Sequence, residues 1–162
     1  MHALVAEAMK KAAIVWVSTA ADQPAYPLWC FPIDDALYVV TGGDEQPAPG
    51  LTSVDTATIS ARGDHGGRIV SWPARVEPVR PGTEAWTAAA PGLAGKRLNA
   101  SGTIDALVEK WTTGATILRL VPIDDDIEPK TDGSEAAVPR PTPAVRRTAK
   151  PFRLHKVKRL KK

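Results

Sequence analysis

The sequence predicts a mainly β fold with peripheral α elements: six strands in a mostly antiparallel sheet that forms a small closed or split barrel, followed by a basic tail. Three observations carry this. Short runs rich in β-branched and aromatic residues recur from Ala13 to Val121, and such residues fit a pleated surface. Tight Asp, Gly and Pro turns join most of them, so hairpins dominate and the sheet is mostly antiparallel. The regular pattern stops after Pro122. A chain of 162 residues with 43% hydrophobic content holds one core, with or without a tail.

In chain order, His2 to Ala12 reads as a short helix of good helix formers, with Leu4, Val5, Ala8 and Met9 close to one face. Ala13 to Thr19 is a strand and Ala21–Pro24 a turn. Tyr26–Pro32 and Ala36–Thr41 are strands joined at Asp34-Asp35. The stretch Gly42 to Ser53 is a loop. Val54 to Arg62 is a strand whose apolar face is Ala57, Ile59 and Ala61, with Thr56, Thr58, Ser60 and Arg62 opposite. Gly63 to Gly67 turns the chain. Arg68 to Val79 is a long strand with Val70, Trp72, Ala74 and Val76 on one side. Pro73 cannot donate to a ladder, which places it at an edge or a bulge.

Thr83 caps a helix that the Pro91-Gly92 pair should stop at Ala90, with a second helical piece from Leu93 to Leu98. Thr103 to Thr112 is a further helix, with Gly114 at its C-terminal end. Ala115 to Val121 is the last strand. Residues 1–128 therefore form the barrel domain. Residues 129–162 form a flexible Pro/Ala-rich basic tail that cannot bury enough apolar surface to order itself.

Charge divides the same way. The tail holds 11 Lys/Arg and 2 Asp/Glu, against 10 basic and 16 acidic residues in 1–128. Its end, residues 150–162, interleaves Phe152, Leu154, Val157 and Leu160 with bases. It reads either as a segment that contacts nucleic acid or another anionic surface, or as a solvated tail. A lone cysteine excludes an internal disulfide. No stretch approaches the roughly 20 apolar residues of a transmembrane helix, so the expected location is cytoplasmic. No His/Cys/carboxylate set has metal-site spacing.

The order of segments AIVWVSTA, YPLWCF, ALYVVTGG, TATISAR and RIVSWPARVEPV, then EAWTAAAPGLAGKRLN and ATILRLVP, resembles the pyridoxamine 5′-phosphate oxidase-like split-barrel proteins of the actinobacterial type. The resemblance covers roughly residues 3 to 123 and rests on element order, not on a catalytic signature. It implies a six-stranded antiparallel split β-barrel and a homodimer with cofactor at the subunit interface: FMN most often, with deazaflavin F420 and haem also known. It implies a flavin- or deazaflavin-dependent oxidoreductase, or a split-barrel dimer without catalysis.

The residues assigned to a cofactor are Trp29, Phe31, Thr41, Gly42, Gly43, Thr58, Ser60, Arg62 and Arg68. Trp29 and Phe31 either line a ring pocket or serve as core or dimer contacts. Cys30, on the opposite face, reads as a small buried hydrophobe. Arg62 and Arg68 flank one turn and are either the best cationic pair for a phosphate or carboxylate or an ordinary surface pair; Lys96 and Arg97 are substitutes. The family usually places a base soon after the strand matched by ALYVVTGG. Here the loop carries Asp44 and Glu45 instead, so as written it should repel a phosphate. His65 reads as an exposed turn residue. No catalytic side chain is assigned, because in flavin chemistry the cofactor carries the hydride.

Overall fold

A computed structural model describes residues 1–63, 66–98, 100, 102–123 and 127–129. Asp64, His65, Asn99, Ser101, the acidic run 124–126 and the tail from residue 130 lie outside the described residues.

The chain opens with helix α1 (Ala3–Lys11). His2 caps it, its Nδ1 accepting from the Leu4 amide at 3.2 Å. Lys10 and Lys11 lie in the last turn, where the helix dipole favours cations. Strands β1 (Ile14–Ser18), β2 (Tyr26–Ile33) and β3 (Ala36–Thr41) follow. Asp34 turns the β2–β3 hairpin with φ of 50°, a left-handed value that Asp tolerates better than most residues. A single 3-10 turn at Leu51–Ser53 leads to β4 (Thr56–Arg62) and the long β5 (Arg68–Val79). Then come α2 (Glu84–Lys96), α3 (Ile104–Gly114), β6 (Thr116–Pro122) and the two-residue β7 (Glu128–Pro129).

The sheet runs β4-β1-β2-β3-β6-β5, and β4 also pairs with β5, so six strands close into a barrel. Every pairing is antiparallel. β7 adds to β5 at Val70 and Ser71 and includes Pro129, the first residue assigned to the tail.

Alternation along the strands sorts the side chains into two cores. The inner one fills the barrel with Val15, Val17, Leu28, Val39, Ile59, Trp72 and Leu118, joined by Val5 and Met9 from α1. The outer one lies between the sheet and the later helices, with Tyr38, Val40, Trp86, Leu93, Trp111 and Ile117. Trp72, Trp111 and Trp86 are all buried, each anchoring one of these layers.

Pro73 sits in a strand paired on both sides, yet its position is a local edge. Its carbonyl accepts from the Ile123 amide at 2.9 Å, just past the end of β6. Its ring nitrogen faces that same side, beyond the last regular β6 pair, so no bond to β4 is lost.

The expected stop at Pro91-Gly92 does not occur. α2 runs unbroken to Lys96 and absorbs the second helical piece. Pro91 is exposed and forfeits one amide bond, while Ala89, Ala90, Leu93 and Ala94 are buried against the sheet. That burial outweighs the proline, a tertiary effect that local propensity does not contain. Gly92 lets the helix come close: a Cβ there would lie 2.3 Å from the Phe31 ring.

Candidate functional site

Strands β2, β1, β4 and β5 put their non-core residues on one outer face. Trp16 on β1 lies between Pro27 on β2 and Ser60 on β4, its register partners on either side. Ser60 in turn faces Ser71 on β5, and Ser18 faces Thr58. Trp29 pairs with Ile14 one step along. The face therefore presents two indoles bordered by a ladder of hydroxyls.

Arg62 completes it. Its guanidinium carbon stands 4.1 Å from the Trp16 ring centroid, a cation–π contact. The Arg62 Nε is buried and has no hydrogen-bond partner. The hydroxyls of Ser60 and Ser71 are 2.7 Å apart and bond to each other. Arg68 is the register partner of Arg62 across the bulged end of β4 and β5, so the two bases do share one end of adjacent strands.

Four of the residues assigned from sequence thus share this face: Trp29, Thr58, Ser60 and Arg62. Phe31 is on the same side of β2 but further along, packed beneath α2 at Gly92. Thr41 belongs to the inner parity of β3, with Leu37 and Val39. Its hydroxyl donates to the Gln46 carbonyl at 2.9 Å and accepts from the Ala48 amide at 3.0 Å. Gly42 and Gly43 take φ of 87° and 60° and turn the chain toward α3. A Cβ on Gly43 would fall 2.2 Å from the Gly114 carbonyl oxygen. The structure therefore uses Thr41, Gly42 and Gly43 to build the loop and does not bring Thr41 to the Trp16–Arg62 platform.

The acidic loop behaves differently from the expectation of a repulsive one. Asp44 pairs with Lys110 of α3, which holds its carboxyl below the usual range. Glu45 is buried; one oxygen meets Arg97, and the other accepts from the Trp111 indole at 3.0 Å. Both charges are neutralised against α3 and the α2–α3 connection, so neither is free to oppose an anion. Arg97, a substitute phosphate ligand in the sequence reading, is committed to Glu45.

Two residues of this region were missed in the sequence. Trp16 alternates with the buried Val15 and Val17, a signal that puts it on the outer face. Gln46 sends its side-chain oxygen to the Trp29 amide at 3.2 Å, where the β2–β3 ladder has ended at Cys30 and Val39. No local pattern announces that contact. Cys30 is fully buried, as expected, and burial pushes its thiol up to about 12.

Among the described residues no group of three or more His, Cys, Asp or Glu could hold a metal ion, and no helix is long and apolar enough to cross a membrane.

No protein-family model matches the sequence, and no curated protein matches it. Solved structures do resemble it. The heme storage protein HutZ from Vibrio cholerae matches with a TM-score of 0.58 and 15% identity, over 78% of this chain and 92% of that one. A conserved hypothetical protein from Mycobacterium tuberculosis matches with a TM-score of 0.54 and 15% identity, over 78% and 82%. An FAD-binding protein from Mesorhizobium loti gives 0.49 and 14% identity, over 78% and 90%.

Proposed function

Since the chain has the split-barrel fold of the pyridoxamine 5′-phosphate oxidase-like proteins, we propose that it binds a flavin-type cofactor, FMN or the deazaflavin F420, on the outer face of β2, β1 and β4. The activity that follows is a flavin- or deazaflavin-dependent oxidoreductase acting on a small molecule. The observation that carries this reading is Arg62: a guanidinium laid on an indole, with a buried Nε lacking a partner and two serine hydroxyls on the adjacent strand positions. A buried unpaired donor costs about 1–3 kcal/mol, and an incoming anionic oxygen removes that cost. The Trp16 and Trp29 rings offer flat apolar surface for a planar ring system.

When bound, the cofactor supplies hydride transfer. The chain's own residues have other tasks. Arg62 would hold an anionic group, with Arg68 at the same strand end. Ser60, Ser71 and Thr58 would orient it. Trp16 and Trp29 would exclude water from one face of the ring. The face is open in a single chain, so we read it as completed by a second copy, giving a homodimer.

A second reading is a split-barrel dimer that holds a ligand without turnover, with its basic tail on nucleic acid or another anionic surface. Two observations favour it. The charge division concentrates 11 bases beyond residue 128, and HutZ, of the same fold, is described as a storage protein.

The deciding experiment is an absorption spectrum of the freshly purified chain, followed by titration with FMN, F420 and hemin. Saturable FMN or F420 binding with perturbed absorbance, lost in Arg62→Gln, supports the first reading. A protein that binds neither overturns it. Saturable hemin binding alone favours the second.

A further inference from the structure

The connection between α2 and α3 leaves apolar surface open. Leu98 is 84% exposed and Ile104 47%, the two most exposed large apolar side chains among the described residues. Ile104 also lines a small open groove of about 180 Å³, walled besides by Ala94, Gly95, Ala100 and Leu107. It leans on the end of α2: a Cβ on Gly95 would meet its Cδ1 at 3.9 Å, an ordinary contact. Arg97 is the base on the groove wall. Its Nη1 is taken by Glu45, while its buried Nε has no hydrogen-bond partner among the described residues.

Acid borders the groove. α3 sets Asp105 and Glu109 one turn apart on its exposed side. Neither carboxylate has an ion pair among the described residues, and the neighbouring Lys110 is taken up by Asp44.

Size and charge choose the occupant. The groove is smaller than the roughly 300–1,000 Å³ of small-molecule sites, yet it has room for one large side chain. Its acidic rim favours a cationic neighbour. The unpaired Nε favours an acceptor, which a peptide carbonyl supplies. A basic peptide with one bulky apolar residue meets all three conditions, and the chain carries such a segment. Phe152 lies between Lys150 and Arg153 and is the only aromatic residue after Trp111. About 20 residues separate it from Pro129, an extended span of about 70 Å, against a diameter of about 35 Å for a domain of this size. Tethering keeps the segment at an effective concentration of about 1 mM, so even a weak contact is populated.

We propose that residues 150–157 of the chain's own C-terminal segment dock on this groove, with Phe152 in the cavity, Arg153 and Lys156 on Asp105 and Glu109, and a backbone carbonyl on Arg97 Nε. The acidic domain thereby holds its own basic appendage. This inference rests on neither functional reading above and shares no residue with the Trp16–Arg62 platform.

The test uses the full chain with Thr148→Cys carrying a nitroxide; Cys30 is buried and stays unlabelled. Amide spectra of the nitrogen-15 protein are recorded at low salt with the label oxidised and then reduced. Amides from Ile104 to Glu109 should lose about half or more of their intensity in the oxidised state. Phe152→Ala, or Asp105→Asn with Glu109→Gln, should each lower that relaxation enhancement about fivefold or more. Asp34→Asn with Asp35→Asn, an acid pair on the β2–β3 turn, should leave it unchanged. All four acids are exposed, so these variants keep the fold. Absence of local broadening, broadening indifferent to Phe152→Ala or to the Asp105 and Glu109 changes, or an equal loss from the Asp34 and Asp35 changes would each overturn the proposal. A mixture of spin-labelled unenriched chains with unlabelled enriched chains separates the occupants. Broadening as strong in the mixture would assign the groove to a second copy's tail and overturn docking within one chain.

Discussion

The indole nitrogen of Trp111 donates to the buried carboxylate of Glu45, whose other oxygen is held by Arg97. This contact fastens the loop after β3 to α3 and to the end of α2. It joins three segments far apart in sequence at one point, with the Glu45 side chain only 4% exposed and that of Arg97 16%.

Removing the acid should therefore be costly. Glu45→Ala leaves Arg97 partly buried and uncompensated, a class of change that costs about 3–5 kcal/mol. Urea unfolding monitored by tryptophan fluorescence should show that loss. Trp111→Phe deletes only the donor and should cost about 1–3 kcal/mol. If Glu45→Ala were no worse than an exposed substitution such as Glu109→Ala, the contact would not be holding the loop.

Gly92 gives a prediction of opposite sign to helix propensity. Ala normally stabilises a helix interior over Gly by about 1 kcal/mol. Here the added Cβ meets the Phe31 ring at 2.3 Å. Gly92→Ala should destabilise by about 1–3 kcal/mol as overpacking does, and Phe31→Leu should recover part of the loss in the double variant. A stabilised single variant in thermal denaturation would show that α2 does not press on β2.

Cys30 should be inert in the folded protein. It is fully buried, its Sγ donates to the Ala12 carbonyl at 3.5 Å, and burial raises its thiol to about 12. Reaction with a disulfide reagent at pH 8 should follow unfolding, slow in buffer and fast in urea. Fast reaction in buffer would place the thiol at the surface.

Glu77 predicts an acid dependence. Arg75 and Arg119 hold its carboxyl below the ordinary glutamate value of 4.5. A carboxyl with a lowered folded pKa contributes stability above its unfolded value, and that contribution disappears as pH falls through the folded one. The wild type and Glu77→Gln should thus differ in melting temperature at pH 7 and converge toward pH 3. The side chain is 35% exposed, so screening keeps the difference small. A difference that grows on acidification would contradict the assignment.

Much of the frame was legible because it is written locally. Arg68–Val79 is a strand over the full range its alternation indicates, and Ala57, Ile59 and Ala61 face the core as their spacing requires. The Asp34-Asp35 turn is chemistry confined to two residues. What was not legible depends on partners distant in the chain. Pro91 reads as a stop until Leu93 and Ala94 are seen buried against the sheet. Asp44 and Glu45 read as a repulsive loop until Lys110 and Arg97 stand opposite them. On the candidate face, Arg62 and the hydroxyl ladder were visible as one side of a strand, whereas the Trp16 ring beneath Arg62 required the β1–β4 register.

The strand order has a consequence for how the molecule is made. Residues through Val79 contain β3-β2-β1-β4-β5, a continuous sheet whose outer strands are β3 and β5. β6 bridges those two strands, pairing with both, and it comes after two helices, at residues 116–122. Until the ribosome has released it, the nascent sheet carries two unpaired edges and an uncovered interior, the state in which strands most readily join another chain. A stop or truncation before β6 should therefore yield an aggregation-prone fragment rather than a smaller barrel.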